Sequence, residues 1–139
     1  MGMQNLKLVS YNSTGLASDK RDFIVEVIDH YQPDIFFIQE TWLLNATMDK
    51  LSEIHKDYLA SGVSAMADDE LIIGRPRGGV GILWKKTIAT SIKFHKIPGT
   101  TRACACVISN GTDDLLCINA YMPTDNQSKT VINQCFRRC

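Results

Sequence analysis

The stretch Asp34-Ile35-Phe36-Phe37-Ile38-Gln39-Glu40 decides the fold class of this chain. Four apolar residues follow one another without a break, and polar residues close the run at both ends. A continuous run of this length is typical of a strand that is buried on both faces of its sheet. Such strands belong mainly to α/β proteins, so we expect a helix and a partner strand close by in the sequence.

The residues before this strand predict that helix and a first strand. Apolar residues fall at helical spacing in residues 23–31, Ser18 or Asp19 can act as the N-cap, and Pro33 ends the helix. Residues 6–12 are rich in Leu, Val and Tyr and stop at a Ser-Thr-Gly loop, as a buried strand does. Residues 6–40 therefore predict a β-α-β unit with parallel strands.

The rest of the chain predicts one more helix, a loop and several strands. Apolar residues from Met48 to Tyr58 indicate a second helix that starts near Asn45 or Thr47. The composition of residues 66–79 is that of a polar loop, and Asn110-Gly111 is a hairpin signal. Strands are predicted at residues 80–85, 88–97, 102–109 and 115–122, and residues 126–139 are interpreted as the beginning of a helix.

The composition excludes several classes of protein. With 139 residues, of which 45% are hydrophobic and 22% charged, the chain has the make-up of one soluble globular domain. We expect neither a membrane span nor a signal peptide. Five cysteines, some of them in strand-like runs, lack the spacing of a zinc site and favour reduced thiols in the nucleus or cytoplasm. The chain has fifteen basic and fifteen acidic residues, so it has no net positive charge to attract nucleic acid. A polyanion would have to bind at a local patch of basic residues.

Five segments, taken in order, resemble the first part of the endonuclease/exonuclease/phosphatase superfamily. They are Ser-Tyr-Asn-Ser-Thr-Gly-Leu (residues 10–16), Phe-Ile-Gln-Glu-Thr (37–41), Gly-Gly-Val-Gly-Ile-Leu (78–83), Arg102, and Asn-Ala-Tyr-Met-Pro (119–123). Each segment alone is a weak signal, whereas the five in this order are specific and cover nearly the whole chain. Residues 75–84 and 121–125 are also similar to the endonuclease domains of non-LTR retrotransposons.

The resemblance implies an α/β fold, namely an incomplete four-layer α/β sandwich. Residues 1–139 would form one truncated domain whose C-terminal part is missing. The implied activity is that of a magnesium-dependent DNA endonuclease of retrotransposon origin. In the family, later Asp-x-Asn and Ser-Asp-His motifs help to activate the attacking water, and this sequence contains neither. We therefore expect the chain to be inactive alone, and the alternative is a non-catalytic interaction or remnant protein.

The resemblance makes Glu40 the principal metal ligand and gives Asn12 a supporting role at the metal or phosphate. A physical reason stands beside it, because Mg²⁺ prefers oxygen ligands and both residues end strands of the same predicted β-α-β unit. The alternatives are a solvated carboxylate at Glu40 and a turn residue at Asn12. With one carboxylate among neutral donors, Mg²⁺ binding should be weak or absent, no better than about millimolar.

Tyr121 and Arg102 complete the predicted site. The resemblance places Tyr121 in the active site as a catalytic residue together with Asn12, and a phenol at a strand end can donate to a phosphate oxygen or to an attacking water. Arg102 is implied to bind phosphate. The alternatives are an aromatic ring packed at a strand end and a solvated arginine at a strand start. We expect Asn12, Glu40 and Tyr121 to share one shallow polar depression.

The predicted partners follow from the same family resemblance. The resemblance implies nucleic acid, and nothing in the sequence indicates a membrane. Because the family's later strands are missing, an open sheet edge should remain, and open edges invite self-association.

Overall fold

The computed structural model describes residues 5–71, 74, 76–122 and 134–138, the last range by its backbone alone. These residues form one α-helix, two 3₁₀ helices and eight strands. None of the described helices is long and apolar enough to span a membrane. In chain order the elements are β1 (Leu8–Asn12), α1 (Ser18–Tyr31), β2 (Ile35–Gln39), a 3₁₀ helix (Asn45–Leu51), β3 (Tyr58–Val63), β4 (Val80–Lys85), a second 3₁₀ helix (Lys86–Ser91), β5 (Ile92–Lys96), β6 (Ala103–Ser109), β7 (Asp114–Ala120) and β8 (Gln134–Arg138).

The first sheet contains the predicted β-α-β unit. Its strand order is β1-β2-β4-β3, with β1 parallel to β2 and with β4 antiparallel to both of its neighbours. The helix α1 ends at Tyr31, and Gln32 then adopts a left-handed backbone with φ 48° before Pro33. The helix and the strands on either side of it are confirmed, and β4 has the predicted bounds.

Strand β2 lies at the centre of the core, because both of its faces are covered. Phe36 and Ile38 pack against Ile24 of α1. Ile35 and Phe37 point the other way and pack in the cluster between the two sheets. Fully burying side chains of this size stabilises the fold by about 1.5–3 kcal/mol each, so this one strand joins the helix layer to the second sheet.

The second sheet has the strand order β5-β6-β7-β8 and is antiparallel throughout. Its inner face carries Cys104, Cys106 and Cys117, which are buried against the first sheet. The predicted hairpin joins β6 and β7, and the Asn110 side-chain oxygen accepts the Asp113 N–H at 2.8 Å. Helix, sheet and sheet therefore stack as an α/β sandwich, which confirms the predicted fold class.

The predicted second helix is wrong over most of its length. Residues 45–51 form a 3₁₀ helix, and Tyr58 begins strand β3. The apolar residues that suggested a helical face, Leu51, Ile54 and Tyr58, are nevertheless buried together with the α1 side of the sheet. Leu51 reaches into the space above Gly62 of β3, where an added Cβ would lie 2.8 Å from Leu51 Cδ1. The helical spacing of these apolar residues thus arose because they are buried in one cluster. A 3₁₀ helix followed by a strand buries them as well as an α-helix would.

Two further boundaries differ from the sequence prediction. The strand predicted from residue 88 begins only at Ile92, because residues 86–91 form a 3₁₀ helix. The helix predicted over residues 126–139 is wrong at residues 134–138, which pair antiparallel with β7 as strand β8. Residues 126–133 and 139 lie outside the described part of the chain. An unpaired strand edge offers a row of backbone donors and acceptors, and β8 satisfies that of β7.

Candidate functional site

Strands of both sheets end at one depression on the surface. Glu40 follows directly after β2, and Tyr121 follows directly after β7. The depression has a volume of about 270 Å³. Its lining consists of Glu40, Trp42, Ala65, Arg77, Gly78, Gly79, Thr101, Arg102 and Tyr121. Three of the four residues predicted for the site, Glu40, Arg102 and Tyr121, therefore lie together.

Glu40 and Tyr121 are in direct contact. The Tyr121 hydroxyl donates a hydrogen bond of 2.7 Å to Glu40 Oε1. Burial raises the pKa of the Tyr121 phenol above 10.0, the hydrogen bond and charge of Glu40 raise it further, and the charge of Arg102 lowers it. The phenol is therefore protonated at neutral pH and acts as a donor. The second carboxylate oxygen and the remaining lone pairs of the first give Glu40 capacity for a further ligand.

Arg102 is held at the depression by its backbone. Its carbonyl accepts the Tyr121 N–H at 2.8 Å, and its own N–H donates to Thr100 Oγ1 at 3.1 Å. The side chain is exposed, and its positive charge acts on the phenol of Tyr121. A guanidinium at this point can meet an anion in the depression through two parallel N–H donors.

Asn12 lies at the same rim of the first sheet but does not line the depression. It pairs in register with Gln39, the residue before Glu40. Its side-chain oxygen accepts the Thr14 N–H at 3.2 Å, which is the hydrogen bond of an Asx turn. The side chain is exposed. The geometry thus gives Asn12 the local turn contact that was one of its two interpretations, while the oxygen can accept a second ligand.

The backbone that presents Glu40 is braced from several directions. Glu40 and Trp42 have φ values of 54° and 56°, in the left-handed region, which costs a non-glycine residue about 1 kcal/mol or more. Ser13 Oγ donates to the Glu40 carbonyl at 3.0 Å, and the Gly15 N–H donates to the same carbonyl at 2.7 Å. On the other side, the Trp42 N–H donates to the Gly78 carbonyl at 2.8 Å. These bonds hold an otherwise unfavourable turn, as is common at functional sites.

Behind the depression lies a buried polar network that the sequence reasoning did not single out. Asn119 of β7 is 0% exposed, and its side-chain nitrogen donates to the carbonyls of Ile38 (2.9 Å) and Gly81 (2.8 Å) in the first sheet. Gln39 Nε2 donates to Asn119 Oδ1 at 2.7 Å and to Ser10 Oγ at 3.0 Å. A signal was available for Asn119, because this amide stands between the apolar residues Ile118 and Ala120.

The donor set around Glu40 offers few charged ligands to a cation such as Mg²⁺. This cation keeps several waters and commonly binds proteins through one or two carboxylates. Glu40 supplies one carboxylate, and Asn12 supplies an amide oxygen one strand away at the same rim. Among the described residues, no group of three or more His, Cys, Asp or Glu side chains is arranged to hold a metal. The residues present fit a weakly held Mg²⁺.

Comparisons with known proteins agree with this architecture. The AP endonuclease LMAP from Leishmania major matches 84% of the chain with a TM-score of 0.64 and 14% identity. TDP2 from D. rerio, complexed with single strand DNA product, matches 88% with a TM-score of 0.58 and 19% identity. The human Nocturnin catalytic domain with bound sulfate matches 88% with a TM-score of 0.60 and 13% identity. At these identities the matches show the fold alone.

The chain spans 40%, 48% and 51% of the length of these three structures, respectively. A comparison with curated protein sequences found no significant match. Residues 5–133, by contrast, match the Endonuclease/Exonuclease/phosphatase family. That match extends over nearly the whole sequence and includes both strand ends that form the depression. The chain therefore belongs to the Endonuclease/Exonuclease/phosphatase family.

Proposed function

We propose that the chain is a magnesium-dependent phosphodiesterase domain of the DNA endonuclease type, and that the depression at Glu40 is its substrate site. One observation carries the proposal: a carboxylate, held by a phenol at 2.7 Å, shares a depression of about 270 Å³ with an exposed guanidinium. The carboxylate suits a cation and the guanidinium suits a phosphate. Family membership supports phosphodiester chemistry, and two structural neighbours are named as an AP endonuclease and as a complex with single strand DNA product.

Each residue has a distinct role in this proposal. Glu40, assisted by Asn12, would hold Mg²⁺, which supplies positive charge for the phosphate oxygens when bound. Tyr121 fixes the orientation of the Glu40 carboxylate and keeps its proton as a donor. Arg102 binds a phosphate oxygen pair through its fork of N–H groups. We further propose a retrotransposon origin, which rests on the sequence similarity of residues 75–84 and 121–125 to the endonuclease domains of non-LTR retrotransposons.

We also propose that residues 1–139 form a single domain that does not turn over substrate by itself. General base catalysis and charge stabilisation of the leaving oxygen each contribute several orders of magnitude in rate. The Asp-x-Asn and Ser-Asp-His motifs that provide them in the family do not occur in this sequence. Glu40, Asn12 and Tyr121 would then bind without completing the reaction.

A plasmid-nicking assay tests both parts. Purified residues 1–139 are expected to nick supercoiled plasmid with Mg²⁺ or Mn²⁺ no faster than a Glu40→Ala control. A chain extended through the two absent motifs is expected to nick the plasmid, and Glu40→Ala should abolish that activity. Nicking by residues 1–139 that disappears with Glu40→Ala would refute the inactivity. An extended chain whose nicking is indifferent to Glu40→Ala would refute the proposed site.

Self-association is proposed separately, through the strand edges. In the described residues β1 and β3 lie at the edges of the first sheet, and β5 and β8 lie at those of the second. Edge strands carry unpaired backbone groups that can join a second chain. Nucleic acid remains the proposed partner of the depression itself.

A further inference from the structure

A second arginine lines the depression beside the predicted residues. Arg77 stands in the loop before β4 and contributes to the same cavity wall as Glu40 and Arg102. Its side chain is 67% exposed, so its charge faces solvent. The similarity over residues 75–84 includes Arg77, but it implied no role for this residue.

Arg77 is engaged by an acid of the same loop. Its Nη1 lies 3.0 Å from Glu70 Oε2 and its Nη2 lies 3.3 Å from Glu70 Oε1, so the two side chains meet fork to fork. A phosphate group presents its oxygens to an arginine in the same bidentate way. Glu70 thus occupies the donors that an incoming phosphate needs.

The exchange of carboxylate for phosphate is feasible at this position. Glu70 is 34% exposed and Arg77 twice as much, and solvent-exposed ion pairs hold together only weakly. A nucleic acid strand brings many phosphates at once, and the release of its condensed counterions favours new cationic contacts. A polyanion already held at Arg102 can therefore displace Glu70 from Arg77.

We propose that Arg77 is a second phosphate contact for a nucleic acid strand bound at the depression, and that Glu70 is its internal competitor. The proposal rests on the proposed function, since it needs a strand that Arg102 also contacts. It assigns Arg77 to binding and not to the chemical step. The acidic residue lowers affinity in the free protein and leaves when the strand binds.

Fluorescence anisotropy with a labelled single-stranded DNA 12-mer tests the inference. Binding is measured without divalent cations from about 25 to 200 mM salt, the range over which phosphate contacts change affinity most. The variants are Arg77→Ala, Arg77→Lys, Glu70→Gln and the double change of Arg77→Ala with Glu70→Gln. Arg102→Ala reports on the proposed site. Lys93→Ala is the matched control, because Lys93 is exposed on β5 and does not line the depression.

We expect Arg77→Ala to weaken binding about fivefold at low salt and to reduce the salt slope by about 0.7, the value for one phosphate of a single strand. Glu70→Gln should tighten binding about threefold, as loss of an exposed competing charge allows. That gain should vanish in the double variant. Arg77→Lys should keep the salt slope and lose part of the affinity, because the charge remains without the fork.

The outcomes separate the inference from the function on which it rests. The role of Arg77 is overturned if Arg77→Ala and Lys93→Ala weaken binding equally, or if the gain in affinity from Glu70→Gln persists in the double variant. The proposed site stands in either case as long as Arg102→Ala weakens binding. A wild-type chain that does not bind the 12-mer would overturn the proposed function and the inference together. Thermal unfolding of each variant checks that these exposed substitutions leave the fold intact.

Discussion

Replacing Asn119 by alanine should weaken the interface between the two sheets. It should lower the free energy of unfolding by more than an asparagine-to-alanine change at an exposed position. The Asn119 amide is fully buried and donates to the carbonyls of Ile38 and Gly81, at 2.9 and 2.8 Å. Its oxygen accepts the Gln39 side-chain N–H at 2.7 Å. Three hydrogen bonds thus cross from the second sheet to the first through one side chain.

The expected loss follows from those three bonds. A net contribution of about 1 kcal/mol per hydrogen bond gives about 3 kcal/mol. The partners left behind are buried, and an unsatisfied buried group costs about 1–3 kcal/mol more than an exposed one, so the loss can reach about 5 kcal/mol. For a domain of this size, a loss of 3 kcal/mol lowers the unfolding midpoint by about 10 °C.

Urea unfolding followed by tryptophan fluorescence measures this loss, and Asn45→Ala serves as the control. Asn45 is exposed and makes a single side-chain bond of 2.9 Å to Asp68, so its loss should be below about 1 kcal/mol. Asn119→Asp refines the test, because an ionised carboxylate cannot donate and would face two carbonyl oxygens. Folding would raise the pKa of that carboxyl group, so the variant's stability should fall further as pH rises from about 4 to 7. If Asn119→Ala is no more harmful than Asn45→Ala, the network does not hold the sheets together.

Two further predictions concern packing and pH. Gly15 and Gly111 have similar φ values of 93° and 96°, but an added Cβ would lie 2.4 Å from Trp42 Cε3 at Gly15 and meets nothing within 4 Å at Gly111. Gly15→Ala should therefore destabilise by at least about 2 kcal/mol more than Gly111→Ala in urea unfolding, and equal losses would show that only backbone strain matters. Burial raises the pKa of Cys104 from 9.0 to about 12, so stability should fall as pH rises above 9, by up to about 1.4 kcal/mol per pH unit. Cys104→Ala should remove that part of the pH dependence, and an unchanged slope between pH 9 and 10.5 would contradict it.

The part of the fold that the sequence predicts is the part built from local signals. The apolar run of β2, the helical period before it and Pro33 each act within a few residues, and the β-α-β unit was correct. Strand β3 was missed because it contains Ala60 and Gly62, which are depleted in strands. Gly62 belongs there because Leu51 occupies the space above it. That contact crosses from one element to another and leaves no periodic pattern in the sequence.

The candidate site also contains residues that the sequence predicted and one that it did not. The rule that strand ends of one rim converge applied to Glu40 and Asn12, and the resemblance placed Tyr121 in the same site. The structure brings the Tyr121 hydroxyl to 2.7 Å from Glu40 Oε1. Their roles, and those of Asn12 and Arg102, stay predictions. Arg77 was missed because it lies in a polar loop. Backbone hydrogen bonds from Thr41 to Gly79 and from Trp42 to Gly78 hold the end of that loop at the depression.

The geometry of the site depends more on the buried network than on its own exposed contact. The single hydrogen bond between Tyr121 and the Glu40 carboxylate is partly buried, and a bond to a charged group contributes about 1.5–3 kcal/mol. The three buried bonds of Asn119 contribute about 3–5 kcal/mol. Gln39 directly precedes Glu40, and Asn119 lies two residues before Tyr121. These two buried amides bond to each other. They therefore fix the distance between the ends of β2 and β7 independently of the contact between Glu40 and Tyr121. A change at Asn119 should therefore weaken the site and the sheet interface together, whereas Tyr121→Phe should leave the interface intact.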